Sequence, residues 1–302
     1  MGNIVNGFDI SDSSVLLYID RYKNDYEYAI IKSSSGTTVA DKMYKDFADN
    51  VTEAGNRMAF YHAANGKTSG EKEAKFFLSS ISQYIGNALV ILDFRNTSAQ
   101  KKGVEYAKEF ADYIFMNAGL NTIICMDKDC LSNNDWSEYS KSYPYLWIVD
   151  DLFDDKIVKG YQKINRYKID DLKGFTLAFL QYTTRGRFEK DKKQDINFNF
   201  DKCYLTTKQW KELIIPAEVD KEEAIVEEEK KVEEKPIIVK EEKVKQTSPI
   251  VNTSSSYYTI NKGESLSKVA ELYNTTINNI MKLNPSIKNP SLIRPGQRIK
   301  IK

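Results

Sequence analysis

A series of short, unbroken apolar runs, most of them closed by a polar residue, constrains this chain more than any other feature. Ala88-Leu89-Val90-Ile91-Leu92-Asp93-Phe94-Arg95 is the plainest. Tyr28-Ala29-Ile30-Ile31-Lys32, Met58-Ala59-Phe60-Tyr61-His62, Thr122-Ile123-Ile124-Cys125-Met126 and Leu146-Trp147-Ile148-Val149-Asp150 repeat it. Runs this short, and apolar on both faces, read as buried parallel strands. Between them, residues 40–54, 71–84 and 103–118 carry apolar side chains every three or four positions with charges between, the spacing of amphipathic helices. Strand and helix in alternation imply an α/β fold with a mainly parallel sheet, closed or open. Asn6-Gly7-Phe8-Asp9-Ile10-Ser11 reads as the end of a first strand. Thr176-Leu177-Ala178-Phe179-Leu180-Gln181-Tyr182 reads as a late one, followed by a polar, hairpin-like segment and Asp195-Ile196-Asn197-Phe198.

In barrel enzymes the catalytic groups sit at the C-terminal ends of such strands, which makes Asp9 and Asp93 candidates for chemistry. Taken with their order along the chain, several stretches resemble the family twenty-five glycoside hydrolases, the muramidases of bacteria and phages. They are Gly7-Phe8-Asp9-Ile10-Ser11, Ile30-Ile31-Lys32 with Ser35-Gly36-Thr37, Ala59-Phe60-Tyr61-His62, Leu92-Asp93-Phe94, Tyr143-Pro144-Tyr145-Leu146-Trp147-Ile148, Gln181-Tyr182 and Asp195-Ile196-Asn197. The resemblance covers roughly the first two thirds of the chain. It implies an irregular β/α barrel that cleaves the glycan strand of peptidoglycan beside N-acetylmuramic acid. It also implies that Tyr61, His62, Trp147, Gln181 and Tyr182 contribute to binding that substrate.

Cleaving a glycosidic bond needs a group that protonates the leaving oxygen and carboxylates that stabilise or trap the oxocarbenium-like centre. The family resembled here supplies an Asp-x-Glu pair and two more aspartates. Asp9, Asp93 and Asp195 match the three aspartates, and Arg95 stands where the acid glutamate would be. A guanidinium keeps its proton at physiological pH and cannot serve as the acid. Its charge is also expected to lower the pKa values of neighbouring carboxyls. Cys125 and Leu180 replace a tyrosine and a tryptophan usual in the family, which is expected to thin the aromatic lining on which sugars stack. Asp127, Asp129, Asp150 and Asp151 follow two of the strand ends, either as a relocated acid or as solvated loop carboxylates.

After the first 213 residues, a segment at 214–256 is dominated by Glu, Lys, Val and Pro, a composition that cannot bury enough apolar surface to fold alone. It reads as a flexible, charged linker, with partner binding as the alternative. Residues 257–302 then give strand, helix, helix, strand, a small α+β unit. It resembles a LysM module, carried by Gly263-Glu264-Ser265-Leu266, Leu283-Asn284-Pro285 and residues 292–297. The resemblance implies a shallow groove for N-acetylglucosamine-containing glycans, formed by Gly263, Glu264, Ser265, Leu266, Asn284, Pro285, Leu292 and Ile293. Leu266 and Leu292 are equally candidates for the module's core.

Other function classes are narrowed by composition. A net charge of +1 over 302 residues leaves no electrostatic footprint for nucleic acid. His62 is the single histidine, which excludes zinc sites built on two or more, and no metal or other cofactor is expected. Cys125, Cys130 and Cys203 read as free thiols, and a Cys125–His62 nucleophile pair is conceivable because both close strands. His62 itself is placed either at the barrel mouth or in the core. No signal peptide or membrane span is recognisable, so the expectation is synthesis in the cytoplasm without membrane insertion. Action at the bacterial wall would then follow lysis, pore-mediated release or carriage in a phage particle. Two functions are compatible with these residues: a LysM-anchored muramidase, or a catalytically inactive peptidoglycan-binding or structural protein of the wall or virion.

Overall fold

The computed structural model describes residues 4–11, 19–164, 167–189 and 196–219. In the C-terminal region it describes 257–260, 266, 269, 273, 280–281, 283–284, 287 and 297–301. The chain divides into two units, Met1–Lys235 and Pro236–Lys302.

In the first unit the apolar runs form β1 (Val5–Ile10), β2 (Tyr28–Ser35), β4 (Arg57–Ala63), β5 (Ala88–Asp93), β6 (Thr122–Asp127), β7 (Tyr145–Val149) and β9 (Thr176–Arg187). These strands are parallel to their neighbours in that order, and β10 (Phe198–Cys203) runs antiparallel to both β9 and β1. Because β1 also pairs with β2, the sheet closes on itself as a barrel with one reversed strand. Two-residue strands β3 (Val39–Ala40) and β8 (Val158–Lys159) are appended to β2 and β9. The late strand extends five residues past Tyr182, into a hairpin arm with β10, further than its apolar stretch suggests.

Helices Tyr44–Glu53, Gly70–Ser80 and Gly103–Ala118 occupy the segments with helical spacing, and Thr207–Ile214 follows the last strand. Their ends have local causes. Ser69 caps the second by accepting from the Lys72 amide, and Gly119 ends the third in the left-handed conformation at φ 66°. The last opens with a reciprocal Thr206–Gln209 capping box. It places Trp210 beside Tyr28 and Phe179, in the apolar cluster that fills the barrel.

Alternation along each strand sorts the core into two layers. Tyr28, Ile30, Tyr61, Ile91, Cys125, Trp147 and Phe179 belong to the cluster inside the barrel. Phe8, Ile31, Phe60, Leu92, Ile124 and Leu180 belong to the larger cluster under the helices. Gly7 is required by this filling, since a Cβ there would lie 2.5 Å from the Tyr28 ring.

In the second unit β11 (Tyr257–Thr259) pairs antiparallel with β12 (Arg298–Lys300). Ile260, Leu266, Val269, Ile280, Ile287, Ile299 and Ile301 form its core.

Candidate functional site

The parallel strands carry their polar ends to one rim of the barrel. There β5 ends with Asp93 pointing inward. Phe94 turns outward to stack on Tyr106 and meet the edge of Trp136, and Arg95 returns over the opening. Arg95 grips Asp93 with both ends of its fork, Nε donating to Oδ1 and Nη2 to Oδ2, each at 2.8 Å, and its backbone amide reaches Oδ1 at 3.2 Å. Such bidentate, charge-assisted pairing is strong and geometrically restrictive. The Arg95 guanidinium carbon also lies 6.0 Å from the Trp147 ring centre. Burial opposes the charge on Arg95, but Cys125, Asp93 and Asp9 around it outweigh that effect and hold its pKa above the ordinary range. Arg95 therefore has no proton to give.

Asp9, at the end of β1, is 4 % exposed. Its Oδ1 accepts from Gln181 Nε2 and its Oδ2 from Asn199 Nδ2, the latter at 2.9 Å. Gln181 comes from the middle of β9, and β10 sets Asn199 directly opposite Asp9. Burial raises the Asp9 pKa to about 6, although Asn199, Arg95 and Gln181 all pull it down. The expected lowering by Arg95 is thus present but loses to desolvation. One layer deeper, Asp201 is fully buried and accepts from the Trp147 indole N–H at 3.0 Å.

Sequence reasoning missed Asn199 and Asp201. Both were legible as the polar members of an alternating stretch, Phe198-Asn199-Phe200-Asp201, whose other face is aromatic. The expected third aspartate, Asp195, lies outside the described residues.

Several expected groove residues face elsewhere. His62 is sealed behind the sheet, with Nδ1 2.9 Å from Ser34 Oγ and Nε2 3.0 Å from Glu73 Oε2, against the rings of Phe77 and Phe110. The His62 and Glu73 side chains are both 0 % exposed, so the histidine has no face for a sugar and cannot reach the inward-facing Cys125. Ser34, His62 and Glu73 have the distances of a nucleophilic triad, but all three are sealed from substrate. Burial lowers the His62 pKa, and Glu73 only partly restores it.

Tyr182 is likewise buried in the outer layer, its hydroxyl accepting from the Gln162 amide at 3.3 Å. Leu180 points the same way, so the missing tryptophan there does not thin the mouth. Trp147 is enclosed inside the barrel and supports the site from below rather than offering a stacking face. Tyr61 faces inward beneath Asp9 and Asp93, whose charges, after burial, raise its pKa. Cys125 is an inward thiol whose pKa is pushed up by burial. It lies between Asp93 and Trp147 in register.

The carboxylates considered as a relocated acid have structural partners or lie in solvent. Asp127 caps the helix Lys128–Asn133 through the Cys130 amide at 2.7 Å. Asp150 bonds Tyr167 Oη and Lys128 Nζ, each at 2.6 Å, and Asp151 accepts from the Phe153 amide. Asp129 is exposed.

In the C-terminal unit Leu266 is core. The Asn284 amide donates to the Ile280 and Lys300 carbonyls and accepts from Lys300 N, at 2.7 to 2.8 Å, so it ties the last strand down rather than offering itself to a glycan. Gly263, Glu264, Ser265, Pro285, Leu292 and Ile293 lie outside the described residues. Among the described residues no cluster of His, Cys, Asp and Glu could hold a metal ion, and no helix is long and apolar enough to cross a membrane.

Residues 12–191 match the family described as glycosyl hydrolases family 25, and residues 258–302 match the LysM domain. The autolytic lysozyme of Clostridium acetobutylicum is 32 % identical over 128 residues, 41 % of this chain and 38 % of that protein. The endolysin of Bacillus phage PZA is 48 % identical over 44 residues, 15 % of this chain and 17 % of that protein. The chain thus spans well under half the length of these relatives. Among solved structures, the bacterial lysozyme from Streptomyces coelicolor superposes with a TM-score of 0.56 at 19 % identity, covering 70 % of this chain and 96 % of that one.

Proposed function

The chain belongs to the glycosyl hydrolases family 25, and from that premise we propose that it is a peptidoglycan-directed cell-wall protein of the muramidase or endolysin type. In this reading the barrel recognises a glycan strand of alternating N-acetylglucosamine and N-acetylmuramic acid but lacks the family's route to cleaving it. Residues 1–213 form the barrel, 214–256 a charged linker and 257–302 a LysM anchor. The anchor raises the barrel's local concentration on the polymer. The observation that carries the proposal is the Arg95–Asp93 clamp. It puts a permanent cation in the acid position and occupies both oxygens of a carboxylate that the reaction would need free.

Losing a general acid costs on the order of 100- to 10,000-fold in rate. What remains is a fixed polar set at the rim, in which Gln181 and Asn199 both donate to Asp9 and Asn199 is the partly exposed member. The test is co-sedimentation of the full chain with purified peptidoglycan sacculi, competed by soluble chitooligosaccharide. Protein pelleting with the wall is expected, and protein remaining in the supernatant would refute the proposal.

A second reading, hydrolysis with a substitute acid, is favoured by one observation. Asp9, with a pKa of about 6, is the rim carboxyl whose shift brings it within reach of protonation in mildly acidic medium. That reading requires reducing ends to appear as pH falls below about 6.

A further inference from the structure

Asp201 is a buried acid for which the barrel's chemistry, as described above, has no use. The register of β10 pairs Asn199 with Asp9 and Asp201 with Gly7, so both side chains enter the barrel and Asp201 lies one layer beneath Asp9. Its Oδ1 accepts the Trp147 indole N–H at 3.0 Å. Its Oδ2 is buried and meets no N–H or O–H donor among the described residues, and Asp9 is the carboxyl that hydrogen-bonds the Asp201 side chain.

Two carboxylates buried against each other inside a barrel repel, whereas one proton between them makes a short, charge-assisted O–H···O bond. The partners decide which residue holds it. Asp9 already accepts from two side-chain amides, Gln181 and Asn199, and reaches the rim, where Arg95 favours its charge. Asp201 has one indole donor and no exposure.

We propose that Asp201 is a carboxylic acid that stays protonated at neutral pH, donating its O–H to Asp9, and is thereby a positioning residue for the Asp9 carboxylate at the barrel mouth. Burial and then Asp9 push the Asp201 pKa well up, against the pull of Trp147 and the more distant Arg95. The other groups facing it are Tyr28, Cys125 and Cys203 inside the barrel, and Tyr161 and Tyr182 from the outer layer. All are themselves held in their neutral forms by burial. This arrangement is independent of whether the barrel binds a glycan.

Asparagine is the isostere of the proposed state, since its amide oxygen can accept from Trp147 and its amide N–H can donate to Asp9. Asp201→Asn is therefore expected to fold like the wild type. The native form holds the proton while the unfolded chain releases it at the ordinary carboxyl pKa, so wild-type stability falls as pH rises. Asp201→Asn escapes that loss. Its advantage in Tm should widen by about 4 °C or more between about pH 7 and about pH 9, a window in which Asp9 has already titrated. Asp201→Leu, which also lacks the titrating carboxyl but keeps neither bond, should share that pH dependence while melting below Asp201→Asn at every pH. An infrared C=O stretch of a protonated carboxyl should be present in the wild type near neutral pH and missing in Asp201→Asn. Parallel melting curves with an unchanged infrared spectrum would overturn the proposal, as would an Asp201→Asn protein that fails to fold.

Discussion

Arg95 holds both oxygens of Asp93, at 2.8 Å each, across the mouth of the barrel. The Asp93 side chain is only 11 % exposed and that of Arg95 31 %, so the pair is screened from one side and open on the other. Two residues apart on one strand end, they convert what the family resemblance marks as an acid and its carboxylate partner into a closed ion pair. Under the proposed function, recognition and reaction are thereby separable.

Replacing the clamp tests that separation. Arg95→Glu frees both Asp93 oxygens and returns a carboxyl to the acid position. Release of reducing muramic ends from purified peptidoglycan should rise by about 100-fold or more over the wild type, the ordinary contribution of a positioned general acid. A variant that folds and binds the wall without any gain would show that the site is blocked elsewhere too.

The Asp9 pKa of about 6, against an ordinary 3.8, makes a stability prediction with a definite sign. The folded form binds this proton more tightly than the unfolded chain, so the group favours the native state at low pH. That advantage is lost as pH rises from about 4 to about 6. Urea unfolding of wild type and Asp9→Asn across this range should differ in slope by close to one proton. The accumulated difference should be on the order of 3 kcal/mol. Parallel curves would mean that Asp9 titrates normally.

The buried chain Ser34–His62–Glu73 is structural. Glu73 also accepts the backbone amides of Asn65 at 3.0 Å and Gly66 at 3.2 Å, tying the loop after β4 to the helix Gly70–Ser80. Glu73→Gln should lower stability by about 1–3 kcal/mol, the cost of weakening buried hydrogen bonds to a charged acceptor. Ser34→Ala should leave wall binding unchanged. Loss of binding in a fully folded Ser34→Ala protein would contradict the structural assignment.

Much of the fold was readable because apolar runs and helical spacing report burial directly. The runs at Tyr28, Met58, Ala88, Thr122 and Leu146 became barrel strands, and residues 103–118 became the helix of the same bounds. What the sequence hid was facing. A run apolar on both sides does not say which residues enter the barrel, so His62, Leu180 and Tyr182 could be assigned to the mouth although they point into the helical layer. The acidic pair was hidden for a related reason. Asp201 lies beside Asp9 only because β10 reverses direction and closes the ring, and pairing of strands far apart in sequence has no local signal. Burial likewise decided the pKa of Asp9 against the nearby Arg95 charge, a balance set by depth rather than by neighbours in sequence.

The most direct test of the account is the number of new reducing muramic ends that the wild-type full chain releases from purified peptidoglycan between about pH 4 and pH 8, measured together with the fraction of protein bound to the wall. The account predicts protein on the wall and no increase in ends at any pH, because Arg95 cannot donate a proton and Asp93 is held. Release of muramic ends by the wild type, at neutral pH or only below about pH 6, would contradict it.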